Sequence, residues 1–228
     1  MQTIILIRHG YPSSWDEKQK ARGTPPHQRL DPGLAEIGRT QAALSATHIA
    51  AAGGAEVVIS SPFRRCLETA DAIAAAGKAV VTPDWRVGEV LLSQVLGSPF
   101  SPTSAMDPEW SQRREDAGKP SHPESDRTLQ ERVAKVVIDL KGRKPLAQRI
   151  VIVSHGIILK DLLKVMSGRA VTLDWHPCAI TTLTRAKPAD RVWKISGPVG
   201  GYQHLGADDR TEPVEQVVHK YHPLDSCS

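Results

Sequence analysis

Ile4-Ile5-Leu6-Ile7-Arg8-His9-Gly10 and Ile150-Val151-Ile152-Val153-Ser154-His155-Gly156 are two versions of one phrase. Each is an unbroken aliphatic run that stops at His-Gly. A strand with one wet face alternates apolar and polar residues, so a run without alternation predicts a strand buried on both faces, as in a parallel sheet covered by helices. The glycine lets the chain turn sharply and lets a ligand approach the backbone. This reading puts His9 and His155 at the carboxyl ends of two core strands, the edge where open α/β sheets bind ligands.

Outward from these runs, strand and helix signals alternate. Leu34 to Ala52 reads as a helix closed by Gly53-Gly54. Glu56 to Ser61 reads as another buried strand, followed by Pro62 and a helix that stops at Gly77. A short strand, Ala79 to Thr82, leads to Trp85-Arg86-Val87-Gly88-Glu89. Ser125 to Gly142 has helical periodicity, with Leu129, Val133, Val136, Val137 and Leu140 on one face and Glu131, Arg132, Lys135 and Asp139 turned away. A helix through Ile158, Leu162 and Met166 ends near Gly168. Strands follow over Ala179 to Arg185 and Val192 to Ser196, and the tail from Gly197 reads as irregular. The expected class is α/β: a three-layer α/β/α sandwich with a mostly parallel central sheet, a single domain over 1–228. Residues 91–123, rich in Ser and Pro, read as a small cap inserted in it.

The 228 residues are 40% hydrophobic, 24% charged and 4% aromatic, the balance of an ordinary globular protein with an aliphatic core. No apolar run approaches the roughly eighteen residues of a membrane span. No signal-peptide pattern precedes the first strand. Three widely spaced cysteines, Cys66, Cys178 and Cys227, fit a reducing compartment and form no zinc motif. A cytoplasmic protein with no metal, no cofactor, no membrane partner and no nucleic-acid partner is expected. The net charge of +4 is compatible with a small anionic ligand and decides little.

A histidine after a strand is more often structural than catalytic. His9, however, lies between an always-charged Arg8 and a glycine, which suits a nucleophile or base facing an anion. Ser60-Ser61-Pro62-Phe63-Arg64-Arg65 ends a buried strand at the same edge, where a helix N-terminus offers unpaired N–H groups to an anion. Arg64, in the first turn, is unfavourable for the helix dipole unless an anion compensates it.

Taken together, the motifs resemble the histidine phosphatase superfamily, the phosphoglycerate mutase-like family, of the branch 1 type. The matching pieces are Leu6 to Gly10, Asp31-Pro32-Gly33-Leu34-Ala35-Glu36-Ile37-Gly38-Arg39-Thr40-Gln41-Ala42, Ser60 to Ala70, Glu89, and Val153 to Gly156, in family order. The resemblance implies a metal-independent, histidine acid-type phosphatase acting on phosphomonoesters. His9 would be the nucleophile that becomes phosphohistidine. Arg8, Arg64 and His155 would hold the phosphoryl oxygens, and Glu89 would protonate the leaving oxygen. Two guanidiniums and an imidazolium supply the charge that phosphoryl transfer needs. His9 must be neutral to attack, His155 is expected charged on a bound phosphate, and Glu89 is expected to have a raised pKa in the occupied site.

The chain departs from the family after the first motif, where Tyr11-Pro12-Ser13-Ser14-Trp15-Asp16 has its tryptophan displaced. Ser13 and Ser14 are the candidates to supply that loop's phosphate contacts. After Glu89, Val90-Leu91-Leu92-Ser93 lacks the motif of the mutases proper, which favours a phosphatase. A mutase-like phosphotransferase and a catalytically weak scaffold that keeps the fold remain the alternatives. In the cap, Arg113-Arg114 reads either as solvated surface or as one arginine lining the pocket. The partner expected is a small phosphorylated substrate. Its identity stays open, as does the oligomeric state, a homodimer included.

Overall fold

The computed structural model describes residues 1–17, 31–90, 125–143, 149–171 and 175–211. The cap expected at 91–123, with Arg113 and Arg114, lies outside the described residues. The ordered elements are β1 (Gln2–Arg8), α1 (Glu36–Ala51), β2 (Val57–Ser60), α2 (Arg64–Gly77), β3 (Val80–Pro83), α3 (Asp126–Gly142), β4 (Arg149–Ser154), α4 (Gly156–Ser167), β5 (Ile180–Arg185) and β6 (Lys194–Gly201). One sheet orders the strands β3-β2-β4-β1-β5-β6. The β3–β2, β2–β4 and β4–β1 pairings are parallel, and the β1–β5 and β5–β6 pairings are antiparallel.

The unalternating strands are explained by two cores. Ile4 and Leu6, with Ile150 and Ile152, enter a core completed by Val133, Val137 and Leu140 of α3 and Ile158 and Leu162 of α4. Ile5 and Ile7, with Val151 and Val153, enter a second core completed by Ile49 of α1 and Cys66, Ala70 and Ile73 of α2. Helices therefore cover both faces of the sheet. Each fully buried Ile, Leu or Val contributes on the order of 1.5–3 kcal/mol relative to exposure, so neither face of β1 or β4 tolerates a polar residue cheaply.

Two expectations change at this level. The tail does not turn irregular at Gly197: β6 continues to Gly201, paired with β5 through a register shift near Ile180/Thr182. Gly197 and Gly200 adopt φ of 88° and 60°, and the Gly200 N–H donates to Thr181 Oγ1 at 2.7 Å. The glycines that read as a turn are what let the edge strand bulge. Arg132, expected to face water, is buried instead.

The loop after β1 lies hard against α1. A Cβ on Gly38 would overlap the Tyr11 carbonyl oxygen, and one on Gly10 would stand 2.6 Å from the Gly38 carbonyl oxygen. Only glycines allow this contact, which fixes where the chain leaves His9.

Candidate active site

The echoed phrases stand opposite each other residue for residue. Ile4 pairs with Ile150 and Arg8 with Ser154 in the parallel β1–β4 ladder. His9 and His155 therefore emerge side by side, with ring centroids 5.2 Å apart.

Backbone contacts hold His9 in place. Its N–H donates to the Ser154 carbonyl at 3.0 Å, and its carbonyl accepts from Cys178 N–H at 3.3 Å. The Gly10 N–H donates to Thr69 Oγ1 at 3.0 Å, and the Thr69 hydroxyl donates to the Arg65 carbonyl at 2.8 Å. The His9 ring places Nδ1 2.8 Å from the Gly10 carbonyl oxygen. A carbonyl only accepts, so Nδ1 carries the proton and Nε2 keeps the lone pair. Burial and then the charges of Arg65, Arg8 and His155 push the His9 pKa well below 6.5. The ring is a neutral imidazole at neutral pH.

His155 stands at the N-cap of α4. Its Nε2 lies 2.8 Å from Ser61 Oγ, and its Nδ1 lies 3.0 Å from Glu89 Oε2 and 3.1 Å from Arg65 Nη2. A guanidinium only donates and a carboxylate only accepts, so Nδ1 cannot bond both. The consistent assignment has Nδ1–H donating to Glu89, Ser61 donating to Nε2, and Arg65 donating to Glu89 Oε2 at 3.3 Å. Burial lowers the His155 pKa against the opposing pull of Glu89. Burial acts to raise the Glu89 pKa, but His155 and Arg65 outweigh it and hold the carboxyl low. In this structure Glu89 is an anion seated on the two groups expected to grip a phosphoryl group, with its proton still to be acquired.

Arg8 donates to the Trp175 carbonyl and lies 5.1 Å from the Trp15 ring centroid. The turn Ser13–Trp15 is tied down by the Ser13 N–H on the Gly33 carbonyl at 2.8 Å and the Tyr11 hydroxyl on the Trp15 carbonyl at 2.8 Å. It brings Trp15, which follows Ser13 and Ser14 in the same turn, to 6.1 Å from the His9 ring.

Arg64 is not the arginine placed among the histidines. Its Nε donates to Glu68 Oε1 at 2.6 Å, an i,i+4 pair that lies against Gly33 and Leu34, with the Leu34 N–H donating to Glu68 Oε2 at 2.7 Å. Arg65 takes the inward place, 9% exposed, its guanidinium 4.9 Å from the Phe63 ring centroid. The signal was present in the sequence: Arg65, Thr69 and Ile73 share one helical face, and Arg64 and Glu68 share another. The anion expected at the N-terminus of α2 is the chain's own Asp31, whose carboxylate accepts from Arg64 N–H at 2.8 Å. Ser61 and Thr69 are further site residues not singled out from sequence.

The family described as the histidine phosphatase superfamily (branch 1) matches residues 4–197. A phosphoglycerate mutase-like protein of Arabidopsis thaliana is 32% identical over 164 residues, 70% of this chain and 68% of that protein. A bifunctional protein of Mycobacterium tuberculosis is 28% identical over 168 residues, 71% of this chain and 43% of the relative, so the chain spans less than half of it. Among solved structures, a mycobacterial glucosyl-3-phosphoglycerate phosphatase superposes with a TM-score of 0.59 at 22% identity, covering 86% of this chain and 97% of that one. The phosphoserine phosphatase of Entamoeba histolytica, solved with 3-phosphoglyceric acid, gives 0.58 at 23% identity over 90% and 100%. At these identities the structural likeness shows the fold.

Proposed function

The chain belongs to the histidine phosphatase superfamily (branch 1), and from that premise we propose that it hydrolyses small phosphomonoesters, without a metal, through a phosphohistidine on His9. The observation that carries this reading is the His9 ring. Its Nδ1 proton is held by the Gly10 carbonyl, which leaves the Nε2 lone pair, and Arg65, Arg8 and His155 act on the ring, with Glu89 bound to Arg65 and His155.

In the first half-reaction Nε2 of His9 attacks phosphorus while the bond to the ester oxygen breaks, and Glu89 gives that oxygen a proton. Arg8, Arg65 and His155 stabilise charge on the equatorial oxygens. The phosphate takes over Arg65 and the Nδ1–H of His155 from Glu89. Losing those partners raises the Glu89 pKa, so the proton arriving with a substrate monoanion moves to the carboxyl. In the second half-reaction Glu89, now a carboxylate, takes a proton from water as its oxygen attacks phosphorus. Inorganic phosphate leaves and His9 is restored. The sequence Val90 to Ser93, unlike that of the mutases proper, supports transfer to water over transfer within the substrate. The proposed partner is a small phosphorylated metabolite, and the proposed setting is cytoplasmic. Among the described residues no helix is long and apolar enough to cross a membrane.

Glu89→Gln removes the proton donor and leaves the shape. It is expected to slow an alkyl phosphate by about 100-fold or more while slowing an activated aryl phosphate far less. Steady-state kinetics on the two substrates check this, and equal slowing would assign the acid elsewhere.

The pH profile follows from His9. A histidine with a lowered folded-state pKa keeps its lone pair as pH falls past 6.5 and loses it only through the lowered value. Measured from about pH 4 to 8, the acidic limb of kcat/KM is expected well below 6.5. A limb at or above 6.5 would place a solvated imidazole, not this one, in the rate law.

A further inference from the structure

The segment that carries Glu89 is held by a buried arginine from across the fold. Arg132 lies on α3, and its guanidinium enters the turn Trp85–Val87. Nη1 donates to the Arg86 carbonyl at 2.8 Å and the Gly88 carbonyl at 3.0 Å, and reaches the Trp85 carbonyl at 3.5 Å. Nη2 reaches the carbonyl of Glu89 itself at 3.4 Å. A guanidinium is a rigid fork of donors, so these contacts set the path of the backbone to Glu89. Burying a cation costs free energy unless its donors find partners, and here backbone carbonyls accept from both Nη groups.

The side chain of Glu89 has the opposite situation. It is partly exposed, and among the described residues its carboxylate accepts from the Val90 N–H at 3.2 Å and otherwise meets Arg65 and His155. Arg65 and His155 are the two groups a phosphoryl group would claim. Once the pocket fills, the carboxyl keeps the Val90 N–H, and the backbone that carries both residues is held by Arg132 and by the Ser154 hydroxyl donating to the Val87 carbonyl at 2.6 Å. We propose that Arg132 is a positioning residue that keeps the Glu89 carboxyl within reach of the leaving oxygen when the pocket is occupied. The inference rests on the reading of Glu89 as the acid.

The test compares Arg132→Lys, which keeps the charge but not the fork, with Glu89→Gln and the double variant, on an alkyl and an activated aryl phosphate. Arg132→Met serves as a second variant, and thermal melts confirm that each is folded. A misplacement near 1 Å costs about 100-fold in favourable cases. Arg132→Lys is expected to slow the alkyl phosphate by about 10- to 100-fold and the aryl phosphate by less than about threefold, with KM little changed. The double variant is expected to be no slower than Glu89→Gln alone. Equal slowing of both substrates by Arg132→Lys, or losses that multiply in the double variant, would reduce Arg132 to a structural role. Equal slowing by Glu89→Gln is the separate result that removes the acid and the inference with it.

Discussion

His9→Ala is expected to lower turnover of any phosphomonoester by about 10⁴-fold or more, with the protein still folded. The size of the loss follows from the neighbourhood, which among the described residues holds no substitute nucleophile. His155 has its Nε2 lone pair capped by Ser61, and its Nδ1 carries a proton toward Glu89. The Cys66 thiol is 3.5 Å from His155, but burial pushes its pKa up to about 12, so it is not a thiolate at neutral pH. The fold survives because neither core includes the His9 side chain, and because the loop backbone is held by Ser154, Cys178 and the Thr69 hydroxyl. Assays on one activated and one alkyl ester, beside a thermal melt, check both halves. Substantial turnover in a folded variant would assign the nucleophile elsewhere.

Arg65→Met is expected to lower kcat by about 10²- to 10³-fold, the usual scale for removing a preorganised cation or donor from a developing oxyanion. Arg64→Met is expected to stay within about threefold of the parent, since it breaks a partly exposed i,i+4 pair with Glu68. The contrast separates two adjacent arginines of identical chemistry by their place on α2 alone. Arg65 lies against His155 and Glu89 and is the strongest charge acting on the His9 ring after burial. A larger loss at position 64 than at position 65 would reverse the assignment.

The same pair shows what was legible from sequence. The aliphatic runs betrayed the sheet because burial on both faces leaves its mark in consecutive residues. Their echo placed both histidines correctly because the two strands are parallel and in register. Choosing between Arg64 and Arg65 needed one more step, the 3.6-residue period applied to Thr69, Ile73 and Glu68. Arg132 was beyond that reading. The helical periodicity that puts Leu129 and Val133 inward says nothing about a neighbour whose guanidinium donates to carbonyls 43 to 47 residues away in sequence. The Gly-rich edge strand is hidden from sequence for a related reason: its pairing with β5 stabilises a segment whose own composition favours turns.

The most direct test is to quench the enzyme in alkali during turnover of a phosphorus-labelled ester, with EDTA in excess, and to map the label. A label that is stable to alkali, lost in acid, and located on His9 is the expected result. Full turnover in EDTA with no such label on His9, under conditions that trap the intermediate in a slow-dephosphorylating Glu89→Gln variant as well, would contradict a phosphohistidine route.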